Sequence, residues 1–181
     1  MTSILKVDNI KDSANNAAMS ISSGVVTFVK PPVGVNNPNF SAYPSAGSSL
    51  SGSTFHIMPF NTEEFDSDGK FNTSTYKFTP TIAGFYSVSW HICFPIGNGA
   101  YVATRLMKNT ATFKFGQNGG GVSNITRITG GTCIVQLSTT DSIHVEAYHG
   151  AGTTTFPVAA NLGAGSTIQT SNGFSAFKLG A

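Results

Sequence analysis

The sequence predicts an all-β fold, a jelly-roll sandwich, and three observations favour it. The 181 residues include 21 Ser, 21 Thr, 14 Asn and 20 Gly, which favour turns, loops and solvated strand faces over helix interiors. No window of about ten residues or more shows the apolar period of a helix. From Phe40 onward, about eight principal strand-like runs follow one another with turn residues between them, as in a sandwich or jelly roll.

The strands are predicted from runs rich in aromatic and β-branched residues, each bounded by turn residues. In chain order they span Phe40–Pro44, Phe55–Met58, Tyr76–Thr79, Phe85–Phe94, Tyr101–Lys108, Thr112–Phe115, Ile125–Leu137, Ile143–Tyr148 and Gly173–Leu179. In the strand that begins at Tyr76, we expect Tyr76 and Phe78 to face inward.

The N-terminal part is predicted to be a separate, smaller segment. Short apolar runs up to Phe28 predict small strands that lack a core of their own. Three prolines and a glycine between Lys30 and Pro38 then suit an extended linker. We therefore expect an attachment segment with a Pro-rich linker over residues 1–38 and a jelly-roll head over residues 39–181.

The low charge excludes several classes of partner. Charged residues make up 10% of the chain and the net charge is +2, so no basic stripe could neutralise a nucleic-acid backbone. No apolar run is long enough for a membrane-spanning helix, and Lys6, Asp8 and Lys11 stand where a signal peptide would need apolar residues. We expect no nucleic-acid partner, no membrane insertion and synthesis in the cytoplasm.

The residue types that carry catalysis or bind metals are scattered. Cys93 and Cys133 lie inside predicted strands and are interpreted as small buried hydrophobes, with a disulfide or metal site as the alternative. The acidic run from Glu63 to Asp68 is interpreted as a solvated turn, because its glycine comes too early for a calcium loop. The four histidines lack convergent partners. We expect no enzyme, no catalytic residues, no metal and no cofactor.

Several motifs of the predicted head resemble one family. Asn61-Thr62-Glu63-Glu64-Phe65-Asp66, Tyr76-Lys77-Phe78-Thr79-Pro80, Ala83-Gly84-Phe85-Tyr86 and the closing Gly173-Phe174-Ser175-Ala176-Phe177 are similar to the complement globular-head domain, a relative of tumour necrosis factor. The resemblance covers roughly Phe40 to Ala181. It implies a jelly-roll homotrimer that binds partners and lacks catalysis.

The N-terminal segment carries a second, shorter resemblance. Ser3-Ile4-Leu5-Lys6-Val7-Asp8-Asn9-Ile10 and Gly24-Val25-Val26-Thr27-Phe28 are similar to the openings of tail-fibre and related virion proteins of marine tailed phages. This resemblance implies a virion protein whose appendage binds the host surface. Its virion-attachment residues would be Ile4, Leu5, Val7 and Ile10. The alternatives are a capsid head-decoration or cement protein and a glycan-cleaving tail component.

Two predicted strands are apolar on both faces, which suggests burial against other copies of the chain. They span Ile125–Leu137 and Gly173–Leu179 and would line the three-fold axis of the homotrimer. The alternative is a thick monomeric core with a covering loop. The predicted trimer interface consists of Cys133, Val135, Leu137, Phe177 and Leu179.

The longest connections are predicted to lie together at the end of the head far from the N-terminal segment. They span Pro95–Ala100, Gly116–Asn124 and His149–Asn172 and lack charged residues, and long loops on a rigid scaffold commonly carry binding. The alternative is that the longest loop only covers the trimer apex. The predicted receptor-binding residues, suited to a neutral glycan or a protein of the host surface, are Asn98, Tyr101, Asn118, Asn124, Phe156 and Gln169.

Overall fold

The computed structural model describes residues 9–11, 17–23, 25–28, 37–96, 101–116, 125–150, 152, 154–156 and 167–179. The chain divides into two compact units, Met1–Val35 and Asn36–Ala181. The predicted attachment residues Ile4, Leu5 and Val7 lie outside the described residues, and Ile10 lies in the first strand of the first unit.

The first unit contains a three-stranded antiparallel sheet. Its strands are β1 (Asn9–Lys11), β2 (Ala17–Ser22) and β3 (Val25–Phe28), in the order β1-β2-β3. Ser22 pairs with Val25, and Ser23 between them has a φ of 49°, which is the left-handed conformation that a tight hairpin turn requires.

Among the described residues, the second unit contains strands and one short helix. The strands are β4 (Asn39–Tyr43), β5 (Ser48–Leu50), β6 (Phe55–Ile57), β7 (Thr62–Asp66), β8 (Phe71–Asn72), β9 (Lys77–Phe78), β10 (Gly84–Ile96), β11 (Val102–Lys108), β12 (Ala111–Phe115), β13 (Ile125–Leu137), β14 (Ile143–His149), β15 (Thr154–Phe156) and β16 (Gly173–Lys178), and the helix is α1 (Ile168–Ser171).

Two antiparallel sheets form the sandwich. One has the order β13-β10-β16-β4-β7, and the other has the order β12-β11-β14-β9-β8 with β6 also paired to β14. Strands that are distant in sequence are neighbours in both sheets, as in a jelly roll. A separate pair, β15 and β5, completes the described strands. The predicted all-β sandwich is confirmed.

Aromatic side chains from both sheets fill the core. The ring of Phe40 lies 4.6 Å from the rings of Phe71 and Phe78 and 4.9 Å from that of Phe174. The indole N–H of Trp90 on β10 donates to the Thr104 hydroxyl on β11 at 3.0 Å, which joins the two sheets. Burying each large aromatic side chain contributes about 2–3 kcal/mol.

The predicted strands agree with the observed ones to within two residues at each end, but the position of one side chain differs. Tyr76 was expected to face inward from a strand, and this was wrong. Its φ is 60° and its N–H donates to the Asn72 carbonyl at 2.6 Å. Tyr76 therefore closes the turn between β8 and β9, and the strand is only Lys77–Phe78, with Phe78 in the core.

Candidate binding surfaces

The outward face of the sheet β13-β10-β16-β4-β7 carries large apolar side chains. Strand alternation and register place them: Ile134 pairs with Ser87, which in turn pairs with Phe177. Ile134 is 60% exposed and Phe85 is 53% exposed. We call this surface the exposed sheet face; its apolar members are Phe65, Phe85, Ile128, Ile134 and Phe177.

The middle of the exposed sheet face is made of small polar residues. Ser89 pairs with Thr132 on one side and with Ser175 on the other, and Ser175 pairs with Ser41. Phe65 and Phe177 contact each other at the margin, with ring centroids 6.1 Å apart. Short side chains with an apolar margin leave a flat surface that another protein can approach closely.

The predicted trimer-interface residues divide between this face and the core. Val135 and Leu137 lie in the hydrophobic core of the chain, and Cys133 packs against that core. The assignment of Val135 and Leu137 to an interface was wrong, because Val135 pairs with the inward-facing Tyr86, whereas its neighbour Ile134 points outward. Phe177 lies on the exposed sheet face, and Leu179 is half-buried.

Both cysteines are free. Burial raises the pKa of the Cys93 thiol to about 11 and raises that of Cys133 as well. Both thiols therefore stay protonated and weakly nucleophilic at neutral pH, and the interpretation as small hydrophobes is confirmed for Cys93, which is buried.

Helix α1 places Gln169 beside strand β7 at the edge of the exposed sheet face. The Thr167 side chain caps the helix, and Asn172 after its end accepts from the Cys93 N–H at 2.7 Å. The Gln169 amide then donates to Glu64 Oε1 at 3.1 Å. Gln169, a predicted receptor-binding residue, therefore contacts the edge strand β7.

A small cavity of about 190 Å³ adjoins this contact. Glu64 Oε2 accepts from the Ser41 hydroxyl at 2.8 Å, and His91 lines the same cavity. Burial lowers the pKa of His91, and the Glu64 carboxylate partly opposes this shift. His91 is therefore neutral near pH 7 and can donate or accept a hydrogen bond.

At the end of the sandwich where the long loops begin and finish, Ile96 pairs with Ile125 and Val102 with His149, so strands β10, β11, β13 and β14 meet there. Tyr101 is exposed, and its carbonyl accepts from the Gly150 N–H at 2.8 Å. Of the other predicted receptor-binding residues, Asn98, Asn118 and Asn124 lie outside the described residues, and Phe156 is described only as a backbone member of β15.

Short, tightly bonded turns form the opposite end. The Asn109 N–H donates to the Ser142 carbonyl at 2.7 Å, and its side-chain amide donates to Asp141 at 2.8 Å. Lys108 lies 3.1 Å from the same carboxylate. Hydrogen bonds, first from the Ser138 N–H, hold the pKa of Asp141 well below its usual range.

No group of three or more His, Cys, Asp or Glu side chains that could hold a metal occurs in the part of the chain that the structure describes. Asp66, in the acidic run, accepts from the N–H groups of Asp68 and Phe71, so this carboxylate shapes its own turn. Among the described residues, no helix is long and apolar enough to cross a membrane.

Comparison with known proteins identifies the fold of the head. The C1q domain family model matches residues 39–163. The globular domain of zebrafish complement 1qA protein is similar, with a TM-score of 0.53, 17% identity, and coverage of 77% of this chain and 92% of that chain. Eiger TNF from S. frugiperda has a TM-score of 0.53 and 12% identity, with coverage of 78% of this chain and 90% of that chain. Murine APRIL has a TM-score of 0.54 and 10% identity, with coverage of 78% of this chain and 98% of that chain. No curated protein matches the sequence.

Proposed function

Because this chain belongs to the C1q domain family, we propose that it is a homotrimeric binding protein. From the likeness of its N-terminal segment to tail-fibre openings, we further propose that it is a virion protein of a tailed phage and binds the host surface. C1q- and TNF-like domains are generally non-enzymatic binding modules, and their homologues form homotrimers. The trimer, the virion location and the host-surface partner are the parts that experiments must test.

The exposed sheet face is the observation that supports the trimer. Five strands about 4.8 Å apart, the longest of 13 residues, span on the order of 800 Å². This is about the area that each partner buries in a standard protein interface. Large apolar side chains gathered on one such surface indicate an interaction site.

Replacing Ile134 by Asp tests this assignment. In the trimer, this change would bury a charge that has no partner. In a single chain the position is exposed to solvent, so the charge would not disturb the fold. We expect Ile134→Asp and Phe177→Asp to lower the mass measured by sedimentation from three chains to one. The matched control is Ile82→Asp, since Ile82 is exposed in the turn before β10. Trimeric Ile134→Asp protein would contradict the assignment.

The N-terminal segment supports the virion location. Its likeness to tail-fibre openings lies in residues 3–10 and 24–28, and it forms a compact unit separate from the head. In the proposed arrangement this segment docks on other virion proteins, and the loops at the far end of the head contact a glycan or protein of the host.

Imaging the whole phage particle tests the location. Copies on the tail would support an appendage, whereas copies spread over the capsid would favour the decoration protein. A particle that lacks the chain would contradict both.

The distal loops are tested by adsorption of the particle to host cells. Replacing Phe156 and Asn118 by Ala should reduce this adsorption. Unchanged adsorption by the variant, or loss of adsorption when calcium is chelated, would contradict the assignment of host binding to these loops.

A further inference from the structure

The outward face of the other sheet carries a cluster of aromatic rings around one ion pair. The cluster, which we call the aromatic patch, lies on β6, β14, β11 and β12 and at the residue before β11. Its rings are Phe55, Tyr101, Phe115 and Tyr148, and its ion pair is Arg105 with Glu146.

The sheet register brings these side chains to one face. Phe55 on β6 pairs with Tyr148 on β14, Glu146 on β14 pairs with Arg105 on β11, and Arg105 pairs with Phe115 on β12. Residues that pair across antiparallel strands point to the same side. The pairing of the four strands therefore brings the patch residues together on one face.

The rings contact one another in a chain across the sheet. The Phe55 ring lies 5.4 Å from that of Tyr148 and 6.4 Å from that of Phe115, and Tyr101 lies 6.1 Å from Tyr148. These distances are typical of aromatic pairs. Phe115 is nevertheless 58% exposed and Tyr101 47% exposed, so their contacts leave much of both side chains open to solvent.

Arg105 is fixed in place at the centre of the patch. Its guanidinium lies 3.8 Å from the centroid of the Phe55 ring. Its Nε donates to Glu146 Oε2 at 2.8 Å, and its Nη1 donates to the Thr112 hydroxyl at 3.1 Å. A half-buried pair held by several hydrogen bonds is preorganised, so a ligand would meet polar groups that need little reordering.

The size of the patch favours a small ligand. Four strands about 4.8 Å apart, with two rows of side chains about 7 Å apart, cover on the order of 200 Å². A stable protein interface needs about 800 Å² on each side. One or two sugar rings fit an area of this size, whereas a folded partner does not.

The charge of the patch favours a neutral ligand. Arg105 and Glu146 neutralise each other, and the other contacting groups are aromatic rings, hydroxyls and the buried His144 imidazole, which lies 3.4 Å from Glu146 and whose pKa burial lowers. The flat C–H face of a sugar can pack on exposed rings, while its hydroxyls can bond with the Tyr101 and Tyr148 hydroxyls and the remaining guanidinium N–H groups. We propose that the aromatic patch binds a neutral saccharide.

This site lies on the opposite sheet from the exposed sheet face and involves no long-loop residue except Tyr101 at the edge. Saccharide binding at the patch therefore does not depend on the proposed trimer. It places a saccharide site on the sheet itself, outside the distal loops.

The test uses the full chain on an array of neutral gluco-, galacto- and manno-oligosaccharides, acidic oligosaccharides and apolar peptides, followed by calorimetric titration of the tightest neutral ligand. We expect binding to a neutral oligosaccharide that changes little with salt concentration. The Phe115→Ala and Tyr101→Ala double variant should lower the association constant at least tenfold. Arg105→Lys, which keeps the charge and loses the planar stacking, should also weaken it.

The matched control is Ile82→Ala, an exposed apolar residue away from the patch, which should bind like the original chain. Circular dichroism and sedimentation show whether each variant keeps its fold and mass. Equal binding by a folded double variant would overturn the proposal. Exclusive binding to acidic oligosaccharides or to peptides, or to nothing on the array, would overturn it as well.

Discussion

Gly130 on β13 has no room for a side chain against β10. It pairs with His91, and a Cβ atom at this position would lie 1.9 Å from the Trp90 carbonyl oxygen and 2.7 Å from the His91 Cα. These are backbone atoms of β10, which is paired on both sides within a five-stranded sheet, so they cannot move aside as the end of a flexible side chain can. The need for glycine here comes from the space available.

We predict that Gly130→Ala lowers the free energy of unfolding by about 1–3 kcal/mol, the usual cost of forcing extra volume into a packed site. Urea unfolding monitored by circular dichroism measures it. Gly152→Ala is the matched control, because a Cβ there meets nothing within 4 Å and its φ is not positive. Equal stability of the two variants would show that β13 shifts freely.

Two buried histidines make stability depend on pH. Burial is the main cause that lowers the pKa of His144, with Glu146 partly opposing it, and burial also lowers the pKa of His149. The folded pKa values then lie below the unfolded value of about 6.5. As the pH falls through this range, the unfolded chain takes up protons first, so folding loses stability.

We therefore predict that the two neutral histidines contribute fully to the free energy of unfolding above about pH 6.5. This contribution should be lost progressively as the pH falls toward about 5. Urea midpoints across this range measure it while carboxylates stay ionised. A flat profile, or greater stability at the acidic end, would contradict the assignment of neutral buried histidines.

At the scale of the elements, the sequence predicts the long strands with several apolar residues and misses strands of two to five residues that carry only one. The range Ile125–Leu137 matches β13 to the residue. Strand β7 was missed because it is an edge strand without a buried residue. Its sequence therefore does not alternate between apolar and polar residues. Helix α1 was missed because it is a single turn of four residues, three of them polar, which is too short to show a helical period.

The binding surfaces were predictable only in part, because they depend on register. The sequence shows that β13 is apolar on both faces, but only the pairing of Ile134 with Ser87 tells which face is open. Arg105 and Phe55 lie 50 positions apart in sequence, and their side chains contact each other because β11 and β6 both pair with β14. No local pattern indicates such a contact.

The N-terminal unit is expected to be dispensable for folding of the head. Residues 39–163 match the family, and the head contains its own core. We predict that removing residues 1–35 changes the urea midpoint of the head by less than the scatter of the measurement, while the truncated chain no longer joins the particle. An unfolded truncated head would contradict this domain boundary.

At the scale of the whole molecule, one sandwich presents two different surfaces. The exposed sheet face is broad and has a serine-rich centre, which suits close contact with other copies of the chain. The aromatic patch on the other sheet is small and internally neutral, which suits a small ligand. In a trimer formed through the first surface, each chain would keep its own copy of the second open to solvent.

The mass of the intact chain in solution tests the central claim most directly. Sedimentation equilibrium at several concentrations should give three times the 18.9 kDa mass of one chain, with no dissociation on dilution, because each chain would bury about the area of a standard protein interface with large apolar side chains at its margin. A mass of 18.9 kDa at every concentration would contradict the homotrimer and the role assigned to the exposed sheet face.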